Sequence, residues 1–392
     1  MQRIYVEEHD GKGRVVDYKF YHRVFLERFN LKFQKNKKDN CDKCEAFNNT
    51  PVDQRTADAI EEHDQHIDEK ELARDFKSKM KVEGEKEGVV SAAFDLEKVL
   101  LVPHGPTSSF YYSKRLKVHN FTVTDITTMK THCFVWHEGE AGKGSSEIGT
   151  CLTKYIRQVE AKKVNLFSDR CGGQNNNRMV AIALHDEFIR QPSLEELSMN
   201  FLVTGHSQNE NDTAHSNIEK FSRKRSLYTP SEWKSAMQFS FKPGKAVINA
   251  LKTEDVINFK DHEGFPEYLS ILKDTTMEND VILKNRKDGK VYWSKIMQYK
   301  FVRSKPDKLF FKYHYGSPDY KFTTIYKKLT TRSNKVPKRC NLYDTPLGVQ
   351  ASKKAALLKL CDQVLIPQDH WDFFKNLIRS KDDDSDNCSD EE

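Results

Sequence analysis

Three carboxylates stand in surroundings that call for an explanation. Asp95 interrupts an apolar run, Ala92-Ala-Phe-Asp95-Leu96, where an ionised side chain is unfavourable unless it is paired or bound to a cation. Asp169 closes Val164-Asn-Leu-Phe-Ser-Asp169 and is followed by Arg-Cys-Gly-Gly-Gln174-Asn175-Asn-Asn. The glycines allow a tight turn, and the amides of Gln174 and Asn175 can bond phosphate oxygens or cap the next helix. Asp212, His215 and Glu219 recur at i, i+3 and i+7, one face of a helix, with Glu210 just ahead of them. Hard divalent cations take oxygen ligands. Two of them held by converging carboxylates activate an attacking oxygen and stabilise a leaving one when a phosphodiester is cut or transferred. Asp95, Asp169 and Asp212 are therefore the candidate catalytic residues and Mg2+ or Mn2+ ligands, with Glu219 as the alternative third acid. Taken singly, each acid also reads as an edge-strand charge or a helix cap.

A second constellation is built from softer ligands. Cys41-Asp-Lys-Cys44 has the thiolate spacing of a zinc knuckle, and His63 and His66 complete C-x2-C-x18-H-x2-H. The usual second pair is H-x3–5-H, so the histidines are one residue short, but an i, i+3 pair on a helix still reaches one ion. The competing reading is a pair of free surface thiols beside a solvated helix. A Zn2+ here would be structural. The remaining cysteines show no ligand spacing, and Cys171 has no His/Asp arrangement to make it a nucleophile. Gly139-Glu-Ala-Gly-Lys-Gly-Ser-Ser holds the ingredients of a phosphate loop without its G-x4-G-K-[ST] spacing.

The elements that must position these groups are legible from periodicity. Residues 53–87 are charged, with apolar positions only at Ile60, Ile67, Leu72, Phe76 and Met80, which suits a solvated helix with one narrow apolar stripe. Strands are predicted over Val89–Val102, Leu116–Ile126, Lys130–Trp136, Val164–Phe167 and Asn200–Thr204. Helices are predicted after the Ser145-Ser146-Glu147 cap, over Asn175–Phe188 and over Glu210–Phe221. The order β-β-β-α-β-α-β-α predicts an α/β fold with a mixed five-stranded sheet and helices on its faces. Further strands are predicted in 281–330 and short helices at Ala351–Gln363 and Trp371–Ile378.

The 392 residues suggest two or three domains at ~150 residues each, divided at 1–87, 88–227 and 228–380, with an acidic tail, 381–392. The formal charge of +6 is unevenly spread. Residues 281–340 hold seventeen Lys/Arg against three Asp/Glu, net +14, with eleven aromatic residues, while the tail holds seven acids against one base, net −6. Cations neutralise phosphates and rings stack on bases, so 281–340 is a candidate DNA surface; lysines on the solvent face of an antiparallel sheet whose rings form its core give the same composition. No apolar run reaches the ~18–20 residues of a membrane helix, and the polar start is no secretory signal. Eight scattered cysteines without such a signal point to a reducing compartment. The expectation is a nuclear or cytoplasmic protein.

Several of these pieces together match a known group. Phe94-Asp95-Leu96, Ser168-Asp169-Arg-Cys171-Gly-Gly-Gln174-Asn175, Gly205-His206-Ser207 followed by Asp212, the Cys41/Cys44 entry with His66, and the closing Pro346-Leu347 with Lys353-Lys354 make the chain resemble transposon-derived proteins with a ribonuclease-H-like domain, frequent in insect and other animal genomes. The resemblance spans roughly residues 18–377. It implies a transposase-type domain in which Asp95, Asp169 and Asp212 hold two divalent cations, with His206 beside them orienting a ligand or phosphate. It equally allows a domesticated, catalytically silent protein that keeps the fold and binds DNA or chromatin. Where the group often has Ser or Ala after the cysteine, this chain has Gly172.

Overall fold

The computed structural model describes residues 2–9, 15–28, 40–171, 175–260, 280–281, 291–325 and 338–380. The acidic tail and parts of the basic segment, residues 282–290 and 326–337, lie outside the described residues.

Short runs buried almost throughout give the strands β1 (Val89–Leu96), β2 (Leu100–Val102), β3 (Leu116–Asp125), β4 (Thr131–His137), β5 (Lys163–Ser168) and β6 (Glu196–Phe201). Further along are β7 (Ala246–Ala250), the short pair β8 (Asp280–Val281) and β9 (Val291–Tyr292), and β10 (Gln298–Val302), β11 (Lys308–Lys312) and β12 (Lys321–Thr324). Helices α1 (Gln2–His9), α2 (Tyr18–Arg28), α3 (Asp42–Asn49) and α4 (Ala57–Glu83) precede the first strand. Then come α5 (Ser108–Tyr112), α6 (Ser145–Val159), α7 (Arg178–Arg190), α8 (Glu210–Ser222), α9 (Pro230–Ser240), α10 (Ala351–Asp362) and α11 (Trp371–Lys375). No described helix is long and apolar enough to cross a membrane.

The predicted five-stranded sheet has ten strands. Its order is β12-β11-β10-β6-β5-β1-β3-β4-β7, with β2 paired to β3. Four of the five extra strands come from beyond residue 228, the fifth being β2: β7 runs parallel to β4, and β10 runs antiparallel to β6, so both edges of the middle five strands are covered. Within that middle, β1, β3 and β4 form an antiparallel meander while β5 and β6 run parallel to β1. Two boundaries moved for visible reasons. The expected strand 89–102 breaks at residues 97–99, because Leu100–Val102 turns back to pair with Leu116–Val118. The strand expected at 200–204 starts earlier and ends at Phe201, beyond which the chain leaves the sheet in a turn at Gly205, whose φ is +77°.

The period-2 alternation of a strand separates two faces. Ala92, Phe94, Phe121, Val123, Phe134, Leu166 and Met199 point to α6 and α7 and form the main core. Each such side chain, removed from water, contributes about 1.5–3 kcal/mol. In the basic segment the rings of Tyr299, Phe301 and Phe311 belong to this core, so much of its aromatic content is packing. The other face carries Ser91, Ala93 and Asp95 of β1, with Glu97 just beyond its end, and their neighbours, covered by α4 and α8. That face is polar in its middle: Ser91, Asn165, Ser198, Asn200 and Gln298 form a buried hydrogen-bonded ladder across four strands. Such a ladder fixes register, since a one-residue slip would bury its partners unpaired. The charged helix α4 crosses it with little apolar grip. Among its 27 residues only Ala73 is fully buried, Phe76 and Met80 packing partly below it, while Ile60 and Leu72 of the expected stripe stay exposed.

Candidate functional site

Two groups of residues gather at the edge where β5 and β6 end. The first is the acidic one. Asp95 on β1 is opposite Thr122 on β3, and because Ala93 pairs with Phe167, the C-terminal end of β5 brings Asp169 alongside. Helix α8 packs on β1 and β3: Asn211 accepts a bond from Thr124 Oγ1 at 2.8 Å, and His215 Nε2 is 2.8 Å from Thr122 Oγ1. This seats Asp212 in the first turn of α8. The electrostatics report the convergence. Burial raises the Asp95 carboxyl to about 7, and the negative charges of Asp169 and Asp212 push in the same direction. Asp95 and Asp169 are half-buried and Asp212 is exposed, so the group opens to solvent on the α8 side. The hydrogen bonds that described residues make to these carboxylates fall on one oxygen of each. Leu96 N donates to Asp95 Oδ1 at 2.8 Å, Cys171 N and Asn175 Nδ2 to Asp169 Oδ1, and Asn209 N to Asp212 Oδ2 at 2.8 Å. Asn175 bonds Asp169, and the cap of α7 is Asn177; Gln174 lies outside the described residues.

The two candidates for a third acid act on different carboxyls. Glu219 acts on Glu97 rather than on Asp95, whose third neighbour is Asp212. Glu97 is the residue that sequence reasoning missed. It is 4% exposed, accepts one bond from Asn120 Nδ2 at 2.7 Å, and its Oε1 has no hydrogen-bond partner. Burial first, then Glu219 and Asp95, raise its carboxyl to about 8. Its signal was available: it stands two residues after Asp95, on the same face of the strand. Glu97 is thus a buried, half-satisfied carboxyl acted on by Glu219 and Asp95, while the close metal-ligand group among the described residues is that of Cys41, Cys44, His66 and His206.

The second group is softer. Cys41 at the start of α3, Cys44 in its first turn, His66 on α4 and His206 in the β6–α8 loop place their ligand atoms within 4.8 Å of one another. Cys41 Sγ is 3.3 Å from His66 Nε2, and Cys44 Sγ is 3.4 Å from His206 Nε2. This Cys2His2 group can hold a metal such as zinc. Two sequence expectations are corrected here. His63 is not in the group: its ring stacks on Phe47 of α3 at 3.9 Å and 7°. His206, expected beside the acids, takes the fourth place instead, because Gly205 turns the chain and lets the loop close on α3. A Cβ at Gly205 would come within 2.7–2.8 Å of Cys41. Burial holds the His66 and His206 imidazoles below their ordinary value, the unprotonated form that a metal needs.

The remaining features have structural roles or none. Cys171 is exposed and forms no disulfide with another described residue. The look-alike phosphate loop is the entry to α6, where Gly144 N donates to Glu147 Oε2 at 2.9 Å.

Residues 110–305, half of the chain, match the family model of the domain of unknown function DUF7869, a span that includes Asp169, His206 and Asp212. No curated protein and no solved structure matches the chain.

Proposed function

The chain belongs to the DUF7869 family, and we propose that it is a divalent-cation-dependent phosphodiester-processing protein, a ribonuclease-H-like nuclease or strand-transfer enzyme of transposase descent. The observation that carries this reading is the joint action of Asp169 and Asp212 on Asp95: three acids from β1, the end of β5 and the start of α8 share one electrostatic neighbourhood. The middle strand order, β4-β3-β1-β5-β6, a meander followed by two parallel strands, supports it, as does an acidic group at the carboxyl ends of parallel strands, where α/β sheets commonly bind ligands. Asp95, Asp169 and Asp212 would hold Mg2+ or Mn2+, which supplies activation of the attacking oxygen and charge neutralisation at the leaving one. The chain's own part is to converge the carboxylates, to orient Asp169 through Asn175, and to hold Asp212 through the α8 cap.

DNA is the proposed substrate. Lys300, Lys308 and Lys312 lie on the acid-bearing face of the sheet by strand register, and Lys308 and Lys312 sit 4.1 and 4.6 Å over the rings of Phe322 and Tyr320. Cations held over partly exposed rings suit a phosphate backbone with stacked bases. The same observation favours the second reading, a catalytically silent DNA- or chromatin-binding protein.

A plasmid-nicking assay with Mg2+ or Mn2+ separates the two. Nicking that Asp95→Asn and Asp169→Asn each reduce at least about a hundredfold, a loss typical of removing a catalytic group, supports the enzyme. Cleavage unchanged in both variants sinks it. Salt-sensitive binding without cleavage under either cation selects the silent reading.

A further inference from the structure

We propose that Cys41, Cys44, His66 and His206 bind one Zn2+ that clamps helix α4 to the β6–α8 loop and so holds the start of α8 in place. The ligand atoms come from three separate elements and meet within 4.8 Å. Tetrahedral zinc with bonds of ~2.3 Å to sulfur and ~2.0 Å to nitrogen sets its S···N edges at about 3.5 Å, and the two pairs stand at 3.3 and 3.4 Å. The backbone has been shaped for this approach, since only a residue without a Cβ fits at 205 against Cys41. Two thiols and two imidazoles at these distances form a closed ligand set, the pattern of a structural rather than a catalytic ion.

The clamp answers a packing problem. A helix of 27 residues is about 40 Å long, and α4 has one fully buried residue with which to grip the sheet. Apolar burial cannot hold it, so polar ties must. Polar ties on this helix include the metal ligand His66, Glu69 accepting from Tyr315 N at 2.7 Å, Met80 O and Lys81 O accepting from Ser91 Oγ and Thr127 Oγ1, and Lys77 paired with Glu210 at 2.6 Å. The first and last of these both land on the short stretch 206–210, which leads directly into Asp212. The zinc assignment stands without the nuclease reading; only its bearing on Asp212 as a cation ligand rests on that reading.

The test uses the full chain. Metal analysis should find one zinc per chain in the wild type and in His63→Ala, and close to none in Cys44→Ser or His206→Ala. His206→Cys, which restores a fourth ligand, should recover it. Cobalt in place of zinc should give the visible bands of a tetrahedral, thiolate-bearing ion in the wild type and lose them in His206→Ala. Removing the zinc should speed amide exchange in residues 66–80 and 203–212 on the order of tenfold or more, the mark of local opening, with β1 and β5 little changed. Zinc retained by His206→Ala, zinc lost by His63→Ala alone, or exchange in 66–80 and 203–212 indifferent to zinc each overturns the proposal. None of these readouts involves DNA cleavage, so a silent acidic group would leave them untouched.

Discussion

His206 Nε2 lies 3.4 Å from Cys44 Sγ, although 162 positions of chain separate the two residues. This contact joins α3 to the loop that starts α8, so a motif that looks local in sequence is completed from a loop far along the chain. Its geometry leaves room for one residue type next to His206. Gly205→Ala would put a side chain on a backbone at φ +77°, costing about 1–2 kcal/mol for the conformation alone, and would push Cys41 out of place. Denaturant unfolding should show at least that loss, and metal content should fall with it. A variant that keeps both stability and metal would refute the close approach.

Glu97 makes stability depend on pH in the less common direction. Its folded carboxyl titrates near 8 against an ordinary value of 4.5, so between these values the folded state holds the extra proton. Stability must then fall as pH rises from about 4.5 to 8, with the full penalty present above 8. Glu97→Gln keeps the shape and the bond from Asn120 while removing the charge. It should match the wild type near pH 4.5 and exceed it by up to a few kcal/mol at pH 8.5, since each pH unit between the unfolded and folded titrations is worth about 1.4 kcal/mol. Unfolding curves that stay parallel across that range would dispose of the argument.

Asp95 gives a second pH signature, this time in ligand binding. With its carboxyl near 7, a cation must displace a proton below that pH. Mn2+ affinity should weaken roughly tenfold per pH unit below pH 7 and level off above it. Titration calorimetry of the wild type should show this slope, and Asp95→Asn should remove it along with most of the affinity. Affinity independent of pH would mean that the cation sits elsewhere.

Behind the main core, Asp186 and Glu187 of α7 are buried acids, each 1% exposed, held by Arg157, Arg190 and Arg339. Arg339 reaches both, bonding Asp186 at 2.7 Å and Glu187 at 2.6 Å, and ties the segment after residue 338 to the sheet. Arg339→Met should cost on the order of 2–4 kcal/mol, since it strips a partner from charges that cannot return to water. A loss below about half a kcal/mol would show that the other two arginines suffice.

If the lysine-lined face carries DNA, charge removal there should be read in salt dependence rather than in sequence preference. Lys308→Gln with Lys312→Gln should lower the slope of log affinity against log salt by about 1.8, near 0.9 per phosphate contact. An unchanged slope would place the DNA on another surface.

The parts of this molecule that were legible in sequence are those set by short-range pattern. The β1, β3, β4 and β5 runs, the capped α6 and the start of α8 follow from periodicities of 2 and 3.6, and Asp95 and Asp169 stood out because a charge among apolar neighbours breaks such a pattern. What was not legible depended on chain topology. Nothing near residues 298–324 says that those strands pair with β6, nor that Ala246–Ala250 lies beside β4. His63 and His206 show the same limit: spacing proposed the nearer histidine, and the stacking of His63 on Phe47 together with the turn at Gly205 selected the distant one. Glu97 was overlooked for a different reason, since a Glu at a strand's end is ordinary until its burial is known.

The long separation of Cys44 from His206 also has a consequence in time. Chains are made at roughly 5–20 residues per second, so the 162 positions between the two ligands take roughly 8–32 s to follow. For that interval a nascent chain presents Cys41, Cys44 and His66 as an incomplete, three-ligand set, open to thiol oxidation and to capture of a softer ion. If the group binds zinc, the order of its ligands makes metal loading wait on synthesis of the central sheet.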